Sequence, residues 1–389
     1  MNRNVLLLSI SQASLISTVS VAVTAFSLIG SQLAPYPDWA AAPLACLFFV
    51  SMLIMFPAAR LVSTLGRKPV FIGAAVAGGL GALLAAWAVN LHSFEVFMLA
   101  ACCLGVFNGI GQSYRFAAVE SVAPSAQGQA ISLTLAGGMV AALIGPNLAR
   151  LTKDLFYAPF TATFLVLGGL GCLGVLLATA MRLPVQAQEA RAKNARSLKA
   201  IWAQGDARVA LFSAVAGWTV MTILMTATPL AMRVCGHGFA DTASTIQWHM
   251  LAMFAPSLVT GNLVQKAGTS MALSLGVMAG LACVAINLSG STVLSFQLAL
   301  VCLGIAWNLI YVASTALLSL THLPCEKGKV QAFNDSVSLC FVAAATLASS
   351  PLIDRLGWER VNQAMIPVLV LVLALATWPH FRKNRLGLS

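Results

Sequence analysis

Long apolar runs, separated by short polar segments, follow one another along the whole chain. Each run is close to the ~20 residues that an α-helix needs to cross ~30 Å of hydrocarbon. Helices are expected here because a span of this length must satisfy its backbone groups within the segment. The pattern predicts an all-α integral membrane protein with twelve transmembrane helices, over residues 5–30, 40–60, 70–90, 94–115, 129–151, 159–181, 208–233, 241–266, 269–289, 293–322, 328–353 and 362–381.

Composition agrees with a chain that lies in a lipid bilayer. Of the 389 residues, 59% are hydrophobic and only 8% are charged, whereas a soluble domain is typically about 25% charged. This balance excludes most classes of soluble enzyme. The sequence also contains no phosphate-binding loop, catalytic-triad pattern or membrane-embedded pair of acids. An enzyme is therefore not expected, and no prosthetic group is predicted.

The basic residues indicate how the chain is oriented. The net charge is +11, a value that on its own would also suit a nucleic-acid partner. If the N-terminus is cytoplasmic, 17 of the 22 lysines and arginines fall on the cytoplasmic side and 5 on the other. This asymmetry follows the positive-inside rule. It predicts that both termini are cytoplasmic, and it explains the positive charge without nucleic acid.

Similar short sequences occur in the two parts of the chain. Residues 51–56 read SMLIMF in the second predicted span, and residues 249–254 read HMLAMF in the eighth. CLGV at 103–106 likewise matches CLGI at 302–305. In this alignment His249 replaces a serine, while both methionines are kept. Such a repeat is typical of transporters built from two similar halves.

The repeat also sets the domain boundaries. The longest polar segment between two predicted spans runs from Arg182 to Arg208 and is rich in alanine, glutamine, lysine and arginine. We therefore predict an N-terminal six-helix half over residues 1–181, a cytoplasmic linker over 182–207 and a C-terminal six-helix half over 208–389.

His249 is the most unusual residue in the apolar runs. Of the five histidines it alone lies well inside a predicted span, where a polar side chain is costly and often functional. Met253 follows one helical turn later, and Met221 and Met225 repeat that spacing on the preceding span. Antiparallel spans would place Met225 level with His249 and Met221 level with Met253. Thioether sulfur and imidazole nitrogen suit copper, so these residues are a candidate soft-metal site.

Other interpretations of these side chains stay open. Methionine commonly fills gaps in helix packing, and a membrane histidine can be a hydrogen-bonded packing residue or a proton relay. A candidate secondary relay for the metal consists of Cys235 and His237 at the outer end of the seventh span and Cys325 in a cytoplasmic loop. Each of these three also fits an ordinary loop or packing residue.

The acidic residues give little sign of proton coupling. None of the eleven lies at the middle of a predicted span. Asp335 is the deepest, about two turns into the eleventh span. Glu120 follows Arg115 by five residues and is a candidate partner for it.

A loop after the second span resembles the signature of a known family. Residues 59–68 read ARLVSTLGRK, which is similar to the Gly-x-Leu-x-Asp-Arg-x-Gly-Arg-Lys signature of the major facilitator superfamily. Gly66, Arg67 and Lys68 match the signature, whereas Ser63 stands in place of its acid. The resemblance implies the major facilitator fold, with two six-helix halves around a central cavity and a gating loop at Gly66, Arg67 and Lys68. The missing acid puts the usual anchor of that loop in doubt.

Within this superfamily the chain resembles the CcoA-type copper importers of bacteria. The resemblance rests on Met221-x-x-x-Met225, on His249-x-x-x-Met253 and on the surrounding run WHMLAMFAPS. It implies import of copper ion, as the transported substrate, across the bacterial inner membrane by alternating access. It further implies supply of copper for cytochrome c oxidase assembly, with a cytoplasmic copper chaperone as a candidate acceptor.

Two other functions remain open. The same wider group includes riboflavin importers, and an importer or exporter of a small organic solute or drug would use aromatic side chains that face the cavity. Trp218, Trp248 and Trp307 are candidates for that role. The other alternative is a copper sensor or a chaperone-docking protein that transports nothing.

Overall fold

The chain folds into long helices. The computed structural model describes residues 2–123, 127–183, 196–323 and 326–385, and within these ranges it contains no β-strand. A short 3₁₀ turn spans Pro37–Trp39. The helices are α1 (Arg3–Leu33), α2 (Ala42–Leu65), α3 (Arg67–Leu91), α4 (Phe94–Gly111), α5 (Tyr114–Glu120), α6 (Gln127–Thr152), α7 (Thr161–Ala180), α8 (Leu198–Trp202), α9 (Gly205–Val234), α10 (Phe239–Phe254), α11 (Ser257–Ser289), α12 (Val293–Ser319) and α13 (Lys327–Arg385).

Nine stretches of the described residues are long and apolar enough to cross a membrane. The chain is therefore a multi-pass membrane protein. Twelve spans are predicted from the sequence, and the two numbers differ partly because the helices are divided differently. The predicted span 241–266 is interrupted where α10 ends at Phe254 and α11 begins after Pro256. Proline causes such breaks because it lacks an N–H and clashes with the preceding turn.

Glycines with positive φ divide α11 and α13. Gly268 has φ 83° and ψ 166°, and Gly357 has φ 76° and ψ 166°. Gly66, between α2 and α3, adopts nearly the same conformation, with φ 84° and ψ 169°. A residue with a Cβ is strained at such φ values, so a helix ends at each of these positions. Gly268 and Gly357 fall between spans that the hydrophobic pattern separates.

Helix packing separates α1–α7 from α9–α13. In the first group α1 packs on α6, α2 packs on α4, and α3 packs on both α4 and α7. In the second group α9 packs on α13 and α12, α10 packs on α12, and α11 packs on α12 and α13. The groups meet chiefly through α2 with α13 and α6 with α10, and less extensively through α1 with α9. One large hydrophobic cluster includes residues of both groups.

Glycine permits close contact at the α2–α4 and α10–α12 crossings. A Cβ on Gly105 of α4 would lie 2.6 Å from the carbonyl oxygen of Leu47, and one on Gly304 of α12 would lie 2.6 Å from that of His249. The two crossings thus share a glycine that lies against a backbone carbonyl. The match that pairs His249 with Ser51 stays a prediction.

Asparagines bind across the same two crossings. Asn108 Nδ2 donates to Ser51 Oγ at 2.9 Å, and Asn308 Nδ2 donates to the backbone carbonyl of Met253 at 2.7 Å. One acceptor is a side chain and the other a backbone group. Both bonds are buried, and each stabilises its crossing.

Replacing Gly268 by alanine is expected to lower the thermal unfolding temperature, since alanine would be held at φ 83° at a cost of about 1 kcal/mol or more. Gly261→Ala in the same helix is the matched control, because its added Cβ meets no atom within 4 Å. Alanine there should be neutral or stabilising. Tryptophan fluorescence of the detergent-solubilised protein during heating measures both variants. Equal unfolding temperatures for the Gly268→Ala variant and wild type would show that alanine is not strained at this position.

Candidate functional site

The four residues of the predicted metal site are all buried in the large hydrophobic cluster or against it. His249 is 0% exposed, and Met221, Met225 and Met253 are at most 6% exposed. The first methionine pair lies on α9, and Met253 lies with the histidine on α10. These two helices touch each other little, and each packs extensively against α12. The predicted side-by-side arrangement of the two pairs is therefore not supported by direct packing of α9 on α10.

His249 uses one ring nitrogen to bind the neighbouring helix. Its Nδ1 lies 2.8 Å from the backbone carbonyl of Leu300 on α12. A carbonyl only accepts, so Nδ1 carries the hydrogen and Nε2 is the acceptor of the neutral ring. Nε2 is buried and has no partner among the described residues. The ring thus contributes to the α10–α12 contact and retains one atom that could bind a ligand.

Two of the three residues of the predicted secondary relay, Cys235 and His237, are described by the structure. Cys235 is exposed just after α9. His237 donates through Nε2 to the carbonyl of Ser291 at 2.7 Å and lies edge-on to Phe296, with 5.9 Å between ring centroids. Cys325 lies outside the described residues. Within the described part of the chain, no three histidine, cysteine or acidic side chains are grouped to hold a metal ion.

The predicted gating loop forms the turn between α2 and α3. Gly66 supplies the positive φ, Lys68 is exposed, and Arg67 is 8% exposed. Arg67 donates to both carboxylate oxygens of Glu120, with distances of 2.8 Å from Nε and 2.6 Å from Nη2. A bidentate pair of this kind is strong and directional. Glu120, at the end of α5, thus provides an acidic anchor for the loop although the signature acid is missing.

Arg115 connects the two groups of helices. It is the second residue of α5, and its Nη2 lies 3.6 Å from Asp335 Oδ2 on α13. Its Nη1 donates to the hydroxyl of Tyr311 on α12 at 3.3 Å. The expected pairing of Arg115 with Glu120 is therefore wrong, because Glu120 binds Arg67. The distance along the chain suggested one partner, whereas the fold brings a more distant acid to Arg115.

Two of the three candidate tryptophans come together beside this ion pair. Trp218 on α9 meets Trp307 on α12 edge-on, with 4.9 Å between ring centroids. Trp307 in turn stacks on Tyr311 at 4.9 Å, with only 6° between the ring planes. Trp307 is 8% exposed, and its Nε1 has no partner within the described chain. Trp248 is 51% exposed and lies apart. Tyr311 is not among the residues predicted from the sequence, although it follows Trp307 by one helical turn.

A cavity of about 170 Å³ lies where the two groups of helices meet at the end predicted to face outside. We call it the outer vestibule. Its walls include Lys153, Phe160, Arg233, His237 and Phe239. None of its lining residues is acidic, so its local charge is positive.

Glu326 holds the end of the linker against the second group of helices. Its buried carboxylate accepts hydrogen bonds from Arg196, through the backbone N at 2.7 Å, Nε at 3.0 Å and Nη2 at 2.7 Å. It also accepts one from the backbone N of Leu323 at 2.9 Å. The Arg196 side chain, followed by the Leu323 amide, lowers the pKa of Glu326 to about 2.

Known proteins resemble the chain along almost its whole length. Residues 8–338 match the family model described as Major Facilitator Superfamily. The chain is 33% identical to the "Riboflavin transporter RfnT" of Brucella anthropi, over 95% of this chain and 94% of that protein. Two Bacillus subtilis proteins, each described as an uncharacterized MFS-type transporter, are also similar. YdeG is 27% identical over 98% of this chain and 92% of its own length, and YddS is 26% identical over 82% and 77%.

Glu326→Gln is expected to lower the unfolding temperature at pH 7, and its difference from wild type should shrink as the pH falls. A carboxylate with a lowered pKa stabilises the folded state above its ordinary pKa of 4.5 and loses that contribution as the pH falls through about 2. The difference should therefore decrease between about pH 4.5 and pH 2. Glu359→Gln changes an exposed acid on α13 and serves as the control. If the difference in unfolding temperature between Glu326→Gln and wild type does not change with pH, the lowered pKa of Glu326 is contradicted.

Proposed function

Because the chain belongs to the Major Facilitator Superfamily, we propose that this membrane transporter carries a small organic solute with a planar aromatic ring system, such as riboflavin. The cluster of Trp218, Trp307 and Tyr311 carries the proposal, since it lies where α9 and α12 approach the first group of helices. The relative with a stated substrate is described as a riboflavin transporter.

The proposed architecture has twelve spans in two six-helix halves. Gly268 and Gly357 each divide one long helix into two spans, and α1–α7 and α9–α13 form the halves. The matched contacts of α2 with α4 and of α10 with α12 support the repeat. The distribution of basic residues supports a location in the bacterial inner membrane with both termini on the cytoplasmic side.

The aromatic cluster provides the chemistry that a flat solute needs. Ring-to-ring contacts contribute about 0.5–1.5 kcal/mol each beyond the burial of apolar surface. The buried Trp307 N–H has no partner in the described chain, and a carbonyl on the solute would accept from it. Arg115 and Asp335 lie next to the rings and offer charged groups to polar substituents.

The Arg115–Asp335 pair also relates the site to alternating access. It joins α5 of the first half to α13 of the second half. Opening the cytoplasmic side separates the halves at this level, so the pair breaks in each transport cycle. A solute that binds between the rings and Arg115 competes with Asp335 for the arginine and favours that separation.

Copper import, with supply to cytochrome c oxidase through a cytoplasmic acceptor, is the second candidate. The unpartnered Nε2 of the buried His249 favours it, and Met221 and Met225 are buried as well. The positive outer vestibule opposes it, because Lys153 and Arg233 repel an incoming cation. The named relatives add no support for copper.

Riboflavin uptake tests the aromatic site. Cells that neither make nor import riboflavin should take it up when they express the chain, and Trp307→Ala should reduce initial uptake at least tenfold through loss of ring contacts. Trp248→Ala, at an exposed ring outside the cluster, should leave uptake unchanged. Trp307→Phe keeps a ring and removes the N–H, so it should give an intermediate rate. Amounts in the membrane and unfolding temperatures are compared for all variants. No uptake by wild type would overturn riboflavin as the solute.

Copper accumulation separates the two candidates. We expect cells with and without the wild-type chain to accumulate equal copper, measured by mass spectrometry. The copper hypothesis instead requires accumulation that the His249→Ala, Met221→Ala double variant abolishes. Met250→Ala, at another buried methionine of α10, should preserve it under that hypothesis. Copper accumulation that the double variant abolishes and Met250→Ala preserves would show that the chain carries copper, and would reject the organic solute.

A further inference from the structure

The outer vestibule collects positive charge from both halves of the molecule. Lys153 follows α6 of the first half, and Arg233 lies in the last turn of α9 of the second half. His237, just after α9, lines the same cavity. When the outer side closes, these side chains approach each other. Like charges brought together in this way repel unless an anion lies between them.

The nearby acids compensate this charge only in part. Asp154 pairs with the Lys153 ammonium at 3.7 Å and is itself largely exposed. Asp241 accepts from the backbone N of Gly238 at the start of α10. Asp354 lines a neighbouring cavity of about 540 Å³ on the other side of Arg233. Among the described residues, the hydrogen-bond partner of the Arg233 guanidinium is the neutral hydroxyl of Ser31, at 2.7 Å.

Two aromatic rings complete the vestibule. Phe160 of the first half meets Phe239 of the second half edge-on, with 5.1 Å between ring centroids. The Lys153 ammonium lies 5.9 Å from the Phe160 ring and 5.1 Å from the Phe239 ring. The rings therefore position the lysine and present apolar walls beside it. An anionic head group attached to a ring matches both features.

We infer that the outer vestibule is a capture site for anionic aromatic solutes, with Lys153 and Arg233 binding a carboxylate or phosphate group from opposite halves. The ring of the solute packs on Phe160 and Phe239. An anion held in this way bridges the halves and stabilises closure of the outer side after the solute has entered. This inference rests on the proposed function for the aromatic class of solute. It goes beyond riboflavin, which is neutral, by adding ring compounds that carry a negative charge.

Benzoate and its neutral analogue benzamide are suitable probes, because they differ in charge and share size and ring. Binding to the full chain in detergent is measured by ligand-detected NMR titration at low ionic strength. Benzoate is expected to bind at least tenfold more tightly than benzamide. Lys153→Gln and Arg233→Gln should each weaken benzoate about tenfold or more, as expected for loss of a charged hydrogen bond. Neither variant should change benzamide binding.

Arg360→Gln is the matched control, since it removes an exposed positive charge that the sequence predicts on the same side and that does not line the vestibule. It should leave benzoate affinity unchanged. Equal affinities for the two probes, or benzoate binding that survives both vestibule variants, would overturn the capture site. Unfolding temperatures exclude loss of folding as the cause of weak binding.

The same preparations separate this inference from the proposed function. Charge-dependent benzoate binding without riboflavin uptake would support the capture site and reject riboflavin as the solute. Riboflavin uptake with no preference for benzoate over benzamide would support the proposed function and reject the capture site.

Discussion

The bilayer offers no hydrogen bonds to the backbone, and this constraint shapes the chain more than any other. Each spanning segment must be helical, so changes of direction are confined to positions where a helix can end. Gly66, Gly268 and Gly357 supply such ends through nearly identical positive-φ turns. Hydroxyl groups obey the same constraint. Ser9 and Thr18 of α1, for example, donate to carbonyls one turn earlier in their own helix, which lets a polar sequence lie within the buried core.

The hydrophobic pattern predicts most of this fold because it is a local consequence of that constraint. Contacts between helices depend on a few close approaches that periodicity does not reveal. Gly304, for example, lets α12 approach the backbone of His249 closely. Arg115 illustrates the same limit. Its nearest acid in the sequence binds elsewhere, and its partner Asp335 comes from the other half. Tryptophans were recognised as candidates by their chemistry, but only the fold distinguishes Trp307 from Trp248.

His249 shows how one residue can support two different functions. A histidine inside a membrane helix requires an explanation, and the resemblance to copper importers gives one. The bond from its Nδ1 to the Leu300 carbonyl gives another, because it fixes α10 to α12 at their closest approach. Buried methionines beside it fit either explanation, since thioethers pack as readily as they bind soft metals. The aromatic cluster has no role in copper binding, whereas a flat organic solute makes use of it.

The two ends of the interface between the halves differ in their balance of charges. At the cytoplasmic end Arg115 has an acid of the protein's own, so closure there needs no ligand. At the outer end Asp38 and Arg355 also pair across the halves, at 2.8 Å, but both are exposed. Lys153 and Arg233 line a vestibule that has no acid among its described walls. Closure at that end brings like charges together and becomes favourable when an anionic solute lies between them. If outer closure depends on the solute and inner closure does not, the empty transporter returns preferentially to a state open to the outside. The placement of charges at the two ends of one interface thus sets which state the empty transporter prefers, while the gradient of the solute or of a coupled ion sets the direction of net transport.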